Sequence, residues 1–241
     1  MEGCIRKPKW TKARDSESRS DRSYDWTGDV LACPEKNQWG LTYDDGQLRH
    51  TNVVLDLLKA NNVKATFFVV GSQVLQNPEI LLRAYNEGHQ IALHTWSHAS
   101  LPKADMGVAI AEVVYNAMVV KQVIGVTPAS SVHHVNGEIS RSVREMLKKL
   151  GLTITMWNVD SRDEQTKYAA VTLEAIIKQG SFKPMPVAQC LGTPAYDESF
   201  WTKLVSQAGS SDAGQKKPTT NGMSNDAVFP KLLLSLVCFR L

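Results

Sequence analysis

The chain has 241 residues, 43% of them apolar, and a formal net charge of +3. Its length and composition suffice for one globular domain with a sizeable core, and two full domains are not expected. A charge this small gives no argument for nucleic-acid binding. The sequence shows no internal repeat, and we expect no apolar run long enough to span a membrane.

The first 32 residues differ in composition from the rest of the chain. Basic residues, serines and acids are mixed over Met1–Arg22, a composition typical of disorder. The segment has no apolar run of the kind found in a secretory signal. We therefore predict a basic, disordered segment over residues 1–32, followed by a globular domain over residues 33–200.

Strands and helices are predicted to alternate in the first half of that domain. Apolar, β-prone runs predict strands at Trp39–Tyr43, Thr66–Val70 and Ile91–Leu93. Helical patterns separate them at Asn52–Ala60 and Pro78–Glu87. The alternation predicts an α/β domain of parallel β/α units, in which active groups lie at the C-terminal ends of strands.

Hydrophobic periodicity also predicts which helix faces are buried. Two further helices are expected, at Met106–Ile124 and at Ile139–Leu150, where Gly151 is a C-terminal stop. The expected inward residues are Val53, Val54, Leu57 and Leu58 in the first helix, Val108, Ala111, Val114, Met118 and Ile124 in the long helix, and Ile139, Val143, Met146, Leu147 and Leu150 in the last.

Two polar motifs follow two of the predicted strands. Asp44 and Asp45 follow the first strand, and His94 and His98, spaced H-x-x-x-H, follow the third. Two imidazoles and a carboxylate can bind one divalent metal and leave positions open for water and substrate, while the second carboxylate acts as a base. Alone, an acidic pair before glycine is commonly a solvated turn, and an isolated H-x-x-x-H is commonly a polar loop.

These features resemble the polysaccharide deacetylases with NodB homology, carbohydrate esterase family 4, and among them the fungal chitin deacetylases. The resemblance covers roughly residues 30–200 and implies a distorted, here incomplete, (β/α) barrel. It rests on Trp39–Gly46, Lys64–Ser72, Glu87–His98, Gly125–Pro128, Trp157–Asp163 and Cys190–Gly192.

The resemblance implies a role for each motif residue. Asp44 is implied as the general base, and Asp45, His94 and His98 as ligands of zinc or cobalt. The implied reaction is metal-dependent hydrolysis of N-acetyl groups from chitin or related N-acetylglucosamine polymers. Trp96 and Trp157 are candidate sugar-contacting residues, although a place in the core or in the wall of the site suits them equally.

The second half of the chain departs from the family pattern. The family arginine that orients the base is missing from residues 129–137, and proline after the acidic pair is replaced by Gln47. Residues 158–189 contain no histidine to serve as general acid, although Asp163, which would orient it, is present. We therefore expect weak catalysis.

Two alternatives follow from these departures: a catalytically inactive chitin-binding or cell-wall protein, and the product of a gene model with misread exons. His133 and His134 are candidate substitutes for the missing acid, and an exposed loop is the competing interpretation of that segment.

The cysteines and the tail bear on location. No C-x-x-C is present, so a zinc knuckle is not expected, and the family resemblance implies a Cys33–Cys190 disulfide, with two buried free thiols as the alternative. Residues 201–241 are predicted to be a flexible tail whose apolar end, Lys231–Leu241, resembles a lipid-anchor (GPI) signal. The resemblance implies secretion to the cell wall or surface and chitin or its oligomers as partner; oligomeric state is left open.

Overall fold

The computed structural model describes residues 28–129, 131–133, 139–158 and 182–210. The chain divides into two units, residues 1–207 and residues 208–241, and the sheets and the helices packed on them belong to the first. The predictions made for residues 1–27 and 211–241, including the basic N-terminus and the apolar C-terminus, lie outside the described residues, as do Asp163 and His134.

A five-stranded parallel sheet forms the centre of the domain. Its strands lie in the order β2 (Thr42–Tyr43), β3 (Thr66–Val69), β4 (Gln90–Leu93), β5 (Ser131–His133) and β6 (Thr153–Thr155). Every residue of β3 and β4 is buried, as expected where a parallel sheet is covered on both faces. The C-terminal ends of all five strands therefore meet at one edge of the sheet.

The strand predicted at Trp39–Tyr43 is in fact two strands in two sheets. β1 (Gln38–Gly40) pairs in parallel with β7 (Lys183–Met185), whereas β2 pairs with β3. Leu41 lies between them: its N–H donates to the Met185 carbonyl at 3.0 Å, and its carbonyl accepts from Thr66 N–H at 2.9 Å. A change of pairing partner within one apolar run is set by tertiary contacts, so periodicity could not predict it.

Most of the predicted helices are present. The helices are α1 (Arg49–Ala60), α2 (Gly71–Gln76), α3 (Pro78–Asn86), α4 (Met106–Ile124), α5 (Arg141–Lys149), α6 (Val187–Leu191) and α7 (Ser199–Ser210). The bounds of α4 agree with the prediction, and Gly125 ends it with φ of 80°. Gly151, with φ of 77°, follows α5 as the expected stop, since glycine adopts this conformation without a Cβ clash.

Two of the three predicted helix faces were only partly right. In α1, Leu58 is buried and Val54 and Leu57 pack against the core, but the prediction omitted the fully buried Leu55 and included Val53, which is 58% exposed. In α4, Ile124 is buried and Val114 packs against the core, but Val108 is 51% exposed. The buried face of α4 instead contains two polar residues, Glu112 and Asn116. The α5 prediction was right for Val143, Met146, Leu147 and Leu150, while Ile139 is half-buried.

The packed domain extends beyond both predicted boundaries. Val30 N–H donates to Ile154 O and Val30 O accepts from Met156 N–H, each at 2.8 Å, so residues before 33 extend the β6 edge. The carboxylate of Asp29 forms a buried ion pair with Arg144 of α5. At the other end, Phe200 is 2% exposed and Trp201 donates to Thr127 Oγ1 at 2.8 Å, so α7 carries the domain past residue 200.

α4 has an unexpected property. Among the described residues it is the one helix long and apolar enough to cross a membrane, with mean hydropathy 1.4, although no such run was expected from the sequence. In the structure it packs against α2, α3 and β4. One face of α4 is therefore buried against the domain, while Met106, Val108 and Tyr115 on it are exposed.

Cys33 and Cys190 form a disulfide between the segment before β1 and helix α6, with their Cα atoms 5.5 Å apart. Gly40 of β1 lies beside it: a Cβ at Gly40 would be 3.4 Å from the Cys33 sulfur and 3.3 Å from a Val187 methyl carbon. The bridge therefore joins the two ends of the domain where the backbone of β1 approaches closely.

We predict that removing this bridge destabilises the domain. It spans 157 residues; the entropy of closing so long a loop in the unfolded chain corresponds to about 5 kcal/mol, and disulfides typically stabilise by about 2–4 kcal/mol. Denaturant unfolding of a Cys33→Ser/Cys190→Ser variant should show that loss, and reductant should lower the stability of the parent but not of the variant. Equal stabilities under oxidising conditions would contradict the prediction.

We also predict an acid-sensitive step in stability from His89. Its side chain is buried, and Nδ1 accepts a hydrogen bond from Ala65 N–H at 3.2 Å. Burial and the charge of Lys64 lower the pKa of His89 to about 4, against the opposing effect of Glu87. Below the ordinary value of 6.5, the unfolded chain binds a proton that the folded chain does not. Stability should therefore fall between about pH 6.5 and pH 4, by about 3 kcal/mol in total.

Denaturant titrations of the parent and of His89→Asn at several pH values test this prediction. The variant lacks the titrating ring, so it should lose less stability on acidification than the parent. Parallel pH dependence in the two proteins would contradict the assignment to His89.

Candidate metal centre

The candidate metal centre lies at the edge where the parallel strands end. β2 leads into Asp44 and Asp45, and β4 leads into His94, with β3 between them in the sheet. Neighbouring strands are about 4.8 Å apart, so β2 and β4 are roughly 10 Å apart. The groups that follow them can meet only by reaching over the end of β3.

Asp45 is turned toward that position by its backbone. Gly46 N–H donates to Asp44 O at 2.9 Å, and Asp45 between them has φ of 71°. This is a γ-turn with positive φ, the rarer and more strained of the two γ-turn types. Val70 N–H, just beyond β3, donates to Asp45 O at 3.3 Å and ties the turn to the neighbouring strand.

The histidine loop has equally unusual backbone angles. Thr95 has φ of 65° and His98 has φ of 63°. Positive φ is uncommon for any residue with a side chain and a genuine outlier for β-branched threonine. Such conformations persist only where the surrounding structure fixes them, and they are concentrated at functional sites.

Three side chains converge at this edge of the sheet. Asp45 Oδ1 lies 3.0 Å from His98 Nε2 and 3.4 Å from His94 Nε2, and the candidate ligand atoms of all three lie within 4.8 Å of one another. The side chain of His94 is 3% exposed, that of His98 42% and that of Asp45 64%. The cluster therefore has one ligand fixed in the core and two that face solvent.

The donor set and its spacing fit a divalent metal. Two ligand atoms bonded at about 2.0–2.1 Å to a tetrahedral zinc lie roughly 3.3 Å apart, close to the separations of Asp45 Oδ1 from the two imidazole nitrogens. Two imidazoles and one carboxylate leave coordination positions open for water or substrate. Zinc and cobalt both suit such a site.

The other predicted site residues occupy different positions around this edge. Asp44 is exposed and adjacent to Asp45. Trp96 is half-buried and its ring packs edge-to-face with Tyr115, with centroids 6.1 Å apart, so it forms part of the wall. Trp157 is half-buried and follows β6 at the same edge of the sheet. His133 is the last residue of β5, so the loop interpretation was wrong for this residue, while His134 lies outside the described residues.

Two residues at the site were not predicted from the sequence. Glu112 and Asn116, one turn apart on α4, hydrogen-bond to the backbone of the histidine loop. The available signal was a pair of polar residues four apart in an otherwise apolar helix. A search for apolar periodicity discards that signal, because it assigns polar residues to the exposed face.

Comparison with known proteins gives a consistent result. The family model described as polysaccharide deacetylase matches residues 32–155. Chitin deacetylase 1 of Cryptococcus neoformans var. grubii is 43% identical over 129 residues, which are 54% of this chain and 27% of that protein. The chain spans about a quarter to a third of the length of the curated relatives it matches.

Solved structures confirm the predicted fold. A chitin deacetylase from Colletotrichum lindemuthianum superposes with a TM-score of 0.62 at 21% identity, over 70% of this chain and 94% of that one. The Bc1960 peptidoglycan N-acetylglucosamine deacetylase gives 0.67 at 24% identity, over 70% and 95%. These likenesses show the (β/α) fold. Residues 159–181, between β6 and β7 in the chain, lie outside the described residues.

We predict that Gly71→Ala disrupts this region. A Cβ at Gly71 would lie 2.6 Å from a ring carbon of Trp96 and 3.1 Å from the Asn116 Cα, so the histidine loop must move. Such overpacking costs about 1–3 kcal/mol. Gly107→Ala on α4 is the matched control, since no atom lies within 4 Å of its Cβ position; it should be neutral or stabilise by up to about 1 kcal/mol. Thermal unfolding of both variants tests the prediction, and equal changes in unfolding temperature would contradict it.

Proposed function

The chain belongs to the polysaccharide deacetylase family, and from this membership we propose that it hydrolyses N-acetyl groups from chitin or related N-acetylglucosamine polymers in a metal-dependent reaction. The observation that carries the proposal is the convergence of Asp45, His94 and His98 at the C-terminal edge of the sheet. All three lie within residues 32–155, which the family model matches. Relatives named as chitin deacetylases support the choice of polymer.

Different residues have different proposed roles in the reaction. Asp45, His94 and His98 would hold zinc or cobalt. A metal held there would supply a Lewis acid able to polarise the acetamide carbonyl and to lower the pKa of a water beside it. Asp44, exposed beside Asp45, takes a proton from the water that attacks the carbonyl carbon. The C–N bond then breaks, and the products are acetate and a sugar amine.

We propose that this turnover is slow. Residues 129–137 contain no arginine to orient Asp44, and residues 158–189 contain no histidine to protonate the leaving amine. The amine must then take its proton from water. General acid–base assistance is worth about 10²–10⁴-fold in rate, so a deficit of that order is expected. The same observation favours the second candidate, a chitin-binding protein without catalysis.

We further propose that the protein matures in an oxidising compartment and acts at the cell wall or cell surface. The Cys33–Cys190 disulfide supports this proposal, because disulfides persist in secretory and extracellular environments. We also propose that the apolar C-terminus helps to anchor the protein at that location.

The test measures metal uptake and acetate release in the same preparations. The parent should bind one zinc or cobalt ion per chain and release acetate slowly from chitotetraose, and a chelator should abolish the release. His98→Ala removes one of three ligands and should lose both properties. His50→Ala is the matched control, because His50 is an exposed histidine on α1 outside the ligand set.

The outcomes separate the two candidates. A folded parent that takes up no divalent metal, or a His98→Ala variant that binds as tightly as the parent, refutes the metal centre. Metal and chitin binding without acetate release favours the non-catalytic protein. Turnover equal to that of a relative with the complete motifs refutes the proposed deficit.

A further inference from the structure

We propose that Glu112 and Asn116 of α4 are positioning residues that hold the His94–His98 loop in its metal-binding shape. This inference rests on the proposed metal centre. It assigns a task to two residues that belong to none of the motifs from which that centre was predicted.

The loop needs external support because its own backbone is strained. Thr95 and His98 both have positive φ, a conformation that is unfavourable for residues with a side chain and persists only where the surrounding structure fixes it. His98 is only partly covered by protein. Packing therefore holds its ring less firmly than that of the buried His94, and the position of the ring depends more on the backbone of the loop.

Glu112 supplies the main support through its carboxylate. One oxygen, Oε2, accepts hydrogen bonds from Trp96 N–H at 2.9 Å and from Ser97 N–H at 2.8 Å. The other, Oε1, accepts from the Ser97 hydroxyl at 2.7 Å. Hydrogen bonds to a charged acceptor are roughly twice as strong as neutral ones. A single side chain thus fixes two consecutive peptide groups between the two histidine ligands.

Asn116 fixes the start of the same loop. Its Nδ2 donates to Thr95 O at 2.8 Å and to Val69 O at 2.7 Å. Those carbonyls also accept from Gly71 N–H and His94 N–H, each at 3.0 Å. The carbonyls are therefore satisfied without Asn116. What Asn116 adds is a direct link between the end of β3 and the residue after His94.

The burial of the pair supports a specific role. Glu112 is 9% exposed and Asn116 is fully buried, in a helix whose other buried residues are apolar. Burying a carboxylate costs free energy that apolar packing at the same place would not. The hydrogen bonds offset that cost only in the observed loop geometry, so the pair selects this geometry over others.

The experiment compares Glu112→Gln with Glu112→Asp, measuring cobalt affinity and the visible absorption spectrum of bound cobalt in the full chain. Glutamine keeps the length, can accept from both N–H groups and can donate to the Ser97 hydroxyl, so it should retain the parental spectrum and lose less affinity than aspartate, although its neutral oxygen accepts more weakly. Aspartate keeps the charge but is one methylene too short. It should bind about 10- to 100-fold more weakly, as expected when support of a ligand is lost, and with a changed spectrum.

Two further variants complete the set. Asn116→Ala removes both donated hydrogen bonds and should also weaken cobalt binding. Val113→Ala is the matched control for helix packing: Val113 is 1% exposed on the same turn, so the variant should lower the unfolding temperature while the cobalt affinity and spectrum stay parental.

Each outcome has a distinct meaning. Parental affinity and spectrum in Glu112→Asp, or better retention by aspartate than by glutamine, overturns the inference. So does a Val113→Ala variant that loses cobalt as strongly as Glu112→Asp, because the effect would then follow stability alone. A parent that binds no cobalt instead refutes the metal centre itself.

Discussion

The end of β3 is the constraint on which the site depends. Two strands that carry metal-ligand candidates flank it, and their side chains meet only above its last residues. Backbone N–H groups just past β3 therefore bond to both halves of the site: Val70 to Asp45 O, Gly71 to Thr95 O and Ser72 to Trp96 O. Gly71 has no side chain because the Trp96 ring occupies that space. The position of the ligands is thus a property of the backbone around β3.

The three ligand candidates are held in place in different ways. His94 follows a buried strand and is fixed by the core. Asp45 and His98 are largely open to solvent and depend on strained turns. This exposed pair leaves the cluster accessible from one side. Because these turns are strained, the surrounding hydrogen bonds are needed to hold them in the observed conformation.

The departures from the family pattern lie in the second half of the chain. The first half, through β4 and its histidine loop, has a close hydrogen-bond network around the site. In the second half, residues 129–137 contain no arginine and residues 158–189 contain no histidine. The candidate metal ligands and the missing proton donor to the leaving amine therefore belong to different parts of the chain, so the first can be kept where the second is lost.

The sequence by itself determined the parallel β/α plan, the ends of α4 and the identity of the ligand candidates. These follow from local signals: apolar runs, glycine stops, and polar motifs placed directly after strands. The family resemblance also predicted the Cys33–Cys190 pairing that the structure contains.

Tertiary structure alone decided three other features: the division of one apolar run between two sheets at Leu41, the buried face of α4, and the roles of Glu112 and Asn116. Each depends on groups distant in the chain, such as Met185 for Leu41 and Ser97 for Glu112. A helix that is apolar on nearly every side gives no periodic signal for its buried face. In α4 that face includes two polar side chains that hydrogen-bond to the backbone of a strained loop, and such bonds are visible only once the fold brings donor and acceptor together.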